Sequence, residues 1–128
     1  MPLAVVDTDI LIDIQSGNPQ AEAWLRAMPV MGITPINWFE MMIGVKRRDS
    51  RTRLQTVRFL TTFEMLYLTA EDQKWAVDIF GLYNPSHGIP WSDVLIASVC
   101  VRLGITLYAR DNHFRVIPEL AFVSPYTR

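Results

Sequence analysis

Cysteine occurs once in the 128 residues, at Cys100. That single thiol excludes a disulfide framework and a cysteine-based zinc site within the chain. Lysine occurs only at Lys46 and Lys74, and histidine only at His87 and His113. A dominant charge is also missing: 12 Lys and Arg stand against 13 Asp and Glu, a formal net charge of −1. Such a balance carries no global signature of nucleic-acid binding and leaves room only for a local basic patch. The longest uncharged runs are broken by Pro, Gly, Asn or His and fall short of the ~20 apolar residues a bilayer demands. The opening Met1-Pro2-Leu3-Ala4-Val5-Val6 has no basic flank and meets Asp7 almost at once, unlike a signal peptide. These absences predict a soluble, cytoplasmic protein with no membrane association.

Half of the residues are apolar and a fifth are charged, which excludes a disordered tail or linker. A chain of this length folds as one domain, here 1–128, and buries roughly two thirds of its unfolded surface. Leu3 to Val6 is a short apolar run that reads as a strand buried on both faces. Further strands are expected at 30–33, 65–68, 105–108 and 121–123. Helices are expected at 9–16, 19–27, 36–47, 51–63, from Thr69 to about Leu82, and 93–103. Gly17-Asn18-Pro19 breaks the first two, Thr34-Pro35 opens the third, and Ser50 and Ser92 serve as caps. Residues 83–90 have the composition of a loop, and Gly104 ends the last helix. Alternating strands and helices predict a three-layer α/β/α sandwich around a small parallel sheet.

Four carboxylates stand where this fold calls for apolar side chains. Asp7 and Asp111 follow strands at the carboxyl edge, where open parallel sheets bind ligands. Glu40 shares a helix face with Ile36 and Ile43. Asp93 opens Val94-Leu95-Ile96-Ala97-Ser98-Val99-Cys100-Val101, a helix apolar nearly all round and hence central. An unpaired buried carboxylate costs several kcal/mol, and Arg110 is the only cation within these segments. A bound metal is the remaining compensation, and an all-oxygen set suits Mg²⁺ or Mn²⁺ rather than zinc. Each residue also has a plainer reading: Asp7 as a helix N-cap, Asp93 as a charge at a helix start, Asp111 as a turn residue. Glu40 resists such a reading best, and the four together favour a metal site. Asp9 is either a contributor through water or the start of a helix. Asp13 is expected in solvent or behind the site, His87 and His113 in solvated or hydrogen-bonded positions, and Cys100 in packing. Among the tryptophans, Trp91 beside Asp93 is the candidate for base stacking.

The runs Val5-Val6-Asp7-Thr8-Asp9-Ile10-Leu11-Ile12, Gly88-Ile89-Pro90-Trp91-Ser92-Asp93-Val94-Leu95-Ile96-Ala97 and Ala109-Arg110-Asp111-Asn112-His113-Phe114, with Glu40 between them, resemble the PIN-domain ribonucleases. The likeness runs to the toxins of VapBC-type toxin–antitoxin pairs and covers essentially the whole chain. It implies that Asp7, Glu40, Asp93 and Asp111 are the acidic metal-binding and catalytic positions. It further implies cleavage of single-stranded or loop RNA with Mg²⁺ or Mn²⁺, and restraint by a cognate antitoxin. The chain departs from the family pattern at Ala109, where Thr, Ser or Asn is common, and at Asp9, where Asn or Ser is more usual.

The expected chemistry is in-line attack by a metal-activated water, leaving 5′-phosphate and 3′-hydroxyl ends. RNA approaching an acidic pocket needs nearby positive charge, which Lys46-Arg47-Arg48, Arg51, Arg53 and Arg58 concentrate locally, with Arg110 and Arg115 flanking Asp111. Apolar stretches such as Trp38-Phe39-Glu40-Met41-Met42-Ile43 exceed what one small sheet covers and predict a homodimer with a further groove for an antitoxin peptide. Rival readings are an inactive PIN-like RNA-binding scaffold, a DxD-type phosphatase built on Asp7-Thr8-Asp9, and a receiver-like signalling module. The phosphatase lacks the usual Gly-Thr after the motif, and the receiver lacks a lysine after its last strand.

Overall fold

A computed structural model describes residues 2, 4–45 and 50–127. Five parallel strands lie in the order β3-β2-β1-β4-β5, with β1 at Ala4–Val6, β2 at Gly32–Ile33, β3 at Glu64–Met65, β4 at Thr106–Tyr108 and β5 at Phe122–Val123. Six helices connect them: α1 (Thr8–Gln15), α2 (Pro19–Arg26), α3 (Pro35–Ile43), α4 (Ser50–Leu60), α5 (Ala70–His87) and α6 (Trp91–Leu103). A short 3₁₀ turn spans Asn112–Val116.

The two faces of β1 show why the sheet is sandwiched. Successive strand residues point to opposite faces. Val5 packs with Leu107 against Ala76 and Ile79 of α5 and Val94, Ile96, Ala97 and Val99 of α6. Ala4 and Val6 pack with Ile33 against Ile10 and Leu11 of α1, Met41 of α3 and Leu60 of α4. The uninterrupted apolar run at the N-terminus is thus a central strand covered on both sides, as expected. α6, apolar nearly all round, is buried from Ile96 to Cys100 between α5 and the sheet.

The helix starts follow their local chemistry. Thr34 accepts the Asn37 main-chain N–H, and the Asn37 side chain accepts the Thr34 N–H in return, a reciprocal cap ahead of Pro35. Thr69 and Asp72 do the same for α5. Asn18 caps α2 through Oδ1.

Three expectations are corrected. The stretch 83–87 is helix rather than loop: α5 runs through Pro85 to His87. Pro85 sits in the last turn, where the lost N–H removes a single helical bond. Gly88, at φ 66°, closes the helix by donating to the Asn84 carbonyl at 2.8 Å. Asn84 Nδ2 adds a bond to the Ile89 carbonyl at 3.1 Å. Secondly, α6 begins at Trp91 after Pro90, so Ser92 lies within the helix and does not cap it. Lastly, α4 begins at Ser50 and stops at Leu60, and β3 pairs at Glu64–Met65 rather than 65–68. The basic triplet Lys46-Arg47-Arg48 lies outside the described residues.

Candidate active site

β1 is the point at which the strand order reverses: β2 lies on one side and β4 on the other. A crevice outside the carboxyl ends of such strands is the usual ligand position of open α/β sheets. Asp7 follows β1 directly, and its main-chain N–H donates to the Tyr108 carbonyl at the end of β4, 2.9 Å away. Asp111 lies three residues beyond β4, Glu40 sits on the helix that follows β2, and Asp93 is the third residue of α6. The topology therefore brings all four sequence-predicted carboxylates to one end of the sheet.

Asp7 is buried, and its Oδ1 has no hydrogen-bond partner among the described residues. Burial first, then the carboxylates of Asp9 and Asp93, and less strongly that of Glu40, push its carboxyl well above the usual range. Asp93 is pushed up to about 6, again by burial first, with Glu40 and Asp111 adding to the rise and His113 opposing it. These mutual effects are those of like charges sharing one pocket.

Glu40 is held by a relay of side chains. The Thr8 hydroxyl donates to Glu40 Oε1 at 2.7 Å and accepts from Asn37 Nδ2 at 3.1 Å. Asn37 is the same residue that caps α3 with Thr34, so the helix start and the orientation of Glu40 depend on one amide. Thr8 and Asn37 are absent from the sequence-derived site. The visible signal for Asn37 was its place three residues after Thr34, the capping-box spacing.

His113, expected in a solvated or merely hydrogen-bonded position, is inside the site. Its Nε2 contacts Asp93 Oδ2, its Nδ1 lies 2.7 Å from Asp111 Oδ1, and its main-chain N–H donates to the same Asp111 oxygen at 3.1 Å. Sequence offered no direct sign of this, because 20 residues separate His113 from Asp93.

Asp9 braces the site from beneath. Its Oδ2 accepts the Arg110 main-chain N–H at 3.0 Å, while Oδ1 is buried without a hydrogen-bond partner among the described residues. Asp13 is not solvated: it is 1% exposed and paired with Arg110 Nε at 2.6 Å. It also accepts from the Tyr126 hydroxyl at 2.7 Å. Tyr126 in turn packs against Trp24, which meets Tyr108 edge-on. Burial, followed by the bond to Asp13, drives the Tyr126 phenol far above its usual range. The Arg110 guanidinium is thus engaged inside the fold. Arg115 is exposed, donates to Asn112 Oδ1 at 3.2 Å and lies over the Phe122 ring. Arg47 and Arg48 lie outside the described residues. Arg51, Arg53 and Arg58 are exposed along α4. Trp91 is exposed and lines an apolar groove of about 610 Å³ with Ile36, Leu68, Val77, Phe80 and Leu95. Cys100 is packed as expected, its thiol pushed up to about 12 by burial.

The donor chemistry fits a hard divalent cation. Every carboxylate supplies oxygen, and Asp7 Oδ1 is the kind of buried, unpartnered acceptor that calls for an ion or water. Among the described residues, no three His, Cys, Asp or Glu side chains already stand grouped around one ion position.

A five-stranded parallel sheet in this order, with carboxylates gathered where the strand order reverses, defines an acidic-site α/β domain. The PIN domain family profile matches residues 4–120, and the chain belongs to that family. It is 24% identical over 126 residues to Ribonuclease VapC4 of Mycobacterium tuberculosis, covering 94% of this chain and 95% of that protein. Among solved structures, it is 30% identical to a chain of a toxin–antitoxin complex from Klebsiella pneumoniae, with a TM-score of 0.76, over 96% of this chain and 98% of that one. VapBC2 from Rickettsia felis, solved bound to a promoter DNA fragment, shares the fold at 21% identity and a TM-score of 0.79, over 94% of this chain and 96% of that one.

Proposed function

We propose that the protein is a metal-dependent endoribonuclease that acts as the toxin of a type II toxin–antitoxin pair. The observation that carries this reading is the convergence of Asp7, Glu40, Asp93 and Asp111 at one sheet edge, with Asp7 Oδ1 buried and unpartnered among the described residues. Likeness to a ribonuclease of the VapC type over nearly the whole chain supports it.

Asp7, Glu40, Asp93 and Asp111 would hold Mg²⁺ or Mn²⁺. When bound, such an ion would supply Lewis acidity toward a phosphodiester oxygen and would lower the pKa of a water for attack on phosphorus. The chain's own residues prepare the site for that chemistry. Asp7 contributes a buried carboxylate whose Oδ1 has no hydrogen-bond partner among the described residues. Thr8 takes one oxygen of Glu40 and leaves Oε2 for the site. Asp9 fixes the backbone at Arg110, the residue before Asp111, and so keeps the carboxyl ends of β1 and β4 together.

Substrate reaches the acidic pocket past α4, whose exposed Arg51, Arg53 and Arg58 offer phosphate contacts. A groove of about 480 Å³ leads away from Glu40 between α1, α3 and α4, lined by Gln15, Ser16, Thr52 and Gln55 among others. RNA as substrate sets the protein's work in the cytoplasm, and among the described residues no helix is long and apolar enough to cross a membrane. Two separate apolar faces support two protein partners, a second copy and an antitoxin. One carries Phe39 and Ile43, and the other Tyr67, Val77 and Trp91.

The test is cleavage of a panel of structured RNAs by the purified chain with Mg²⁺, Mn²⁺ or EDTA, beside Asp7→Asn. Metal-dependent cutting lost in the variant is expected. Equal cutting by the variant would refute the reading.

A further inference from the structure

Asp111 is the least sheltered of the four carboxylates: its side chain is 53% exposed, at the head of a short 3₁₀ turn. An aspartate in that setting samples several rotamers unless something restrains it. Among the described residues, its two close polar contacts come from one residue, a main-chain hydrogen bond and the approach of a ring nitrogen. His113 reaches Asp111 Oδ1 with its ring Nδ1 at 2.7 Å and with its main-chain N–H at 3.1 Å. The other ring nitrogen, Nε2, engages Asp93 Oδ2 on α6. The ring itself is fixed from behind, since the next residue, Phe114, is fully buried and lies 5.1 Å away between ring centroids. One imidazole thus ties the turn after β4 to the start of α6. It occupies one oxygen of each carboxylate and leaves Asp93 Oδ1 and Asp111 Oδ2 without a hydrogen-bond partner among the described residues.

We infer that the His113 side chain is a positioning group that holds Asp93 and Asp111 in place to receive the divalent ion, adding to the main-chain hydrogen bond that Asp111 Oδ1 already accepts. The inference rests on the proposed metal-dependent reading. Groups that orient metal-binding carboxylates without touching the metal typically change affinity 10- to 100-fold when removed. His113 does this for two carboxylates from different elements at once.

The test is Mn²⁺ binding to the metal-free full chain without RNA, followed by calorimetry or by the electron paramagnetic resonance of free Mn²⁺. His113→Ala is expected to weaken binding by about tenfold or more, while the metal-free melting temperature shows the chain still folded. His113→Asn carries an amide nitrogen near the position of Nδ1. It should recover part of the affinity, and that recovery should vanish in an Asp111→Asn background. Affinity within twofold of wild type for His113→Ala would overturn the inference. So would an Asn-variant recovery that persists without the Asp111 carboxylate. Unchanged Mn²⁺ affinity with reduced RNA cutting would make His113 a substrate contact instead, and would likewise overturn it. Asp7→Asn separates the two readings. If wild type binds Mn²⁺ and Asp7→Asn does not, an unaffected His113→Ala removes only the positioning role. If wild type shows no saturable Mn²⁺ binding, the metal site and the inference fail together.

Discussion

The Thr8 hydroxyl donates to Glu40 Oε1 across 2.7 Å, joining the first residue of α1 to the middle of α3. Thr8 immediately follows Asp7, so one dipeptide supplies both the most buried carboxylate of the site and the group that orients a second. Asn37 secures Thr8 in turn, and Asn37 is fixed by the cap of its own helix. The geometry of Glu40 is therefore set by backbone and side-chain choices made 3 and 32 residues away.

Thr8→Val removes this donor while keeping the shape of the side chain. We expect RNA cutting to fall by roughly 10- to 100-fold, the usual loss when a group orienting a metal-site carboxylate is removed. Thr8→Ser should retain most activity. Single-turnover cleavage of the same RNA by the two variants and wild type checks this, and equal rates for all three would show that Thr8 does not set Glu40.

Asp7→Asn should abolish cutting and yet stabilise the metal-free fold. The native carboxylate is buried, its Oδ1 has no hydrogen-bond partner among the described residues, and it is repelled by Asp9, Asp93 and Glu40. Removing that charge removes a burial cost on the order of a few kcal/mol. Thermal melts in EDTA should place the variant above wild type, and a lower melting temperature would mean that Asp7 is structurally satisfied.

The raised Asp93 carboxyl gives a pH prediction with a definite sign. Its unfolded value is near 3.8 and its folded value about 6. Over that window the folded state holds the proton more tightly, so stability falls as pH rises. The cost is absent below about pH 4 and complete above about pH 6–7. In EDTA, wild type should therefore lose stability relative to Asp93→Asn as pH rises from 4 to 7. A difference between the two that does not change with pH would contradict the assignment.

Arg110 was expected to meet RNA from beside Asp111, and its contacts point inward. Arg110→Ala takes from Asp13, 1% exposed, the guanidinium that stands 2.6 Å away, and should cost about 3 kcal/mol, the lower end for breaking a buried pair. Adding Asp13→Asn should recover part of that loss. Urea unfolding measures both, and an Arg110→Ala variant that unfolds like wild type but binds RNA weakly would restore the RNA contact.

The strands and most of the helices were legible in the sequence because their signals are local: an apolar run ended by Asp7, Thr34 before Pro35, and Gly104 after a helix apolar all round. The four candidate carboxylates stood out in the sequence for a different reason. Glu40 stood out because Ile36 and Ile43 share its helix face, although in the fold only Ile36 packs on the core and Ile43 is exposed. The extension of α5 through Pro85 was hidden because proline is normally read as a break. It survives here only in the last turn, with Gly88 and Asn84 closing the end. His113 and Tyr126 were hidden more deeply. Each meets one partner at least 20 residues away, and only the closing of the sheet reveals a His between two aspartates or a Tyr on a buried Asp13.

The most direct test of the central claim is to cut a panel of structured RNAs with the purified chain in Mg²⁺, Mn²⁺ or EDTA, and to determine the chemistry of the new ends. The account predicts cutting that requires metal, disappears in Asp7→Asn and in Asp93→Asn, and leaves 5′-phosphate and 3′-hydroxyl termini. Cutting that persists in EDTA, or that yields 2′,3′-cyclic phosphates, would contradict it, because the ribose hydroxyl and not a water would then be the nucleophile.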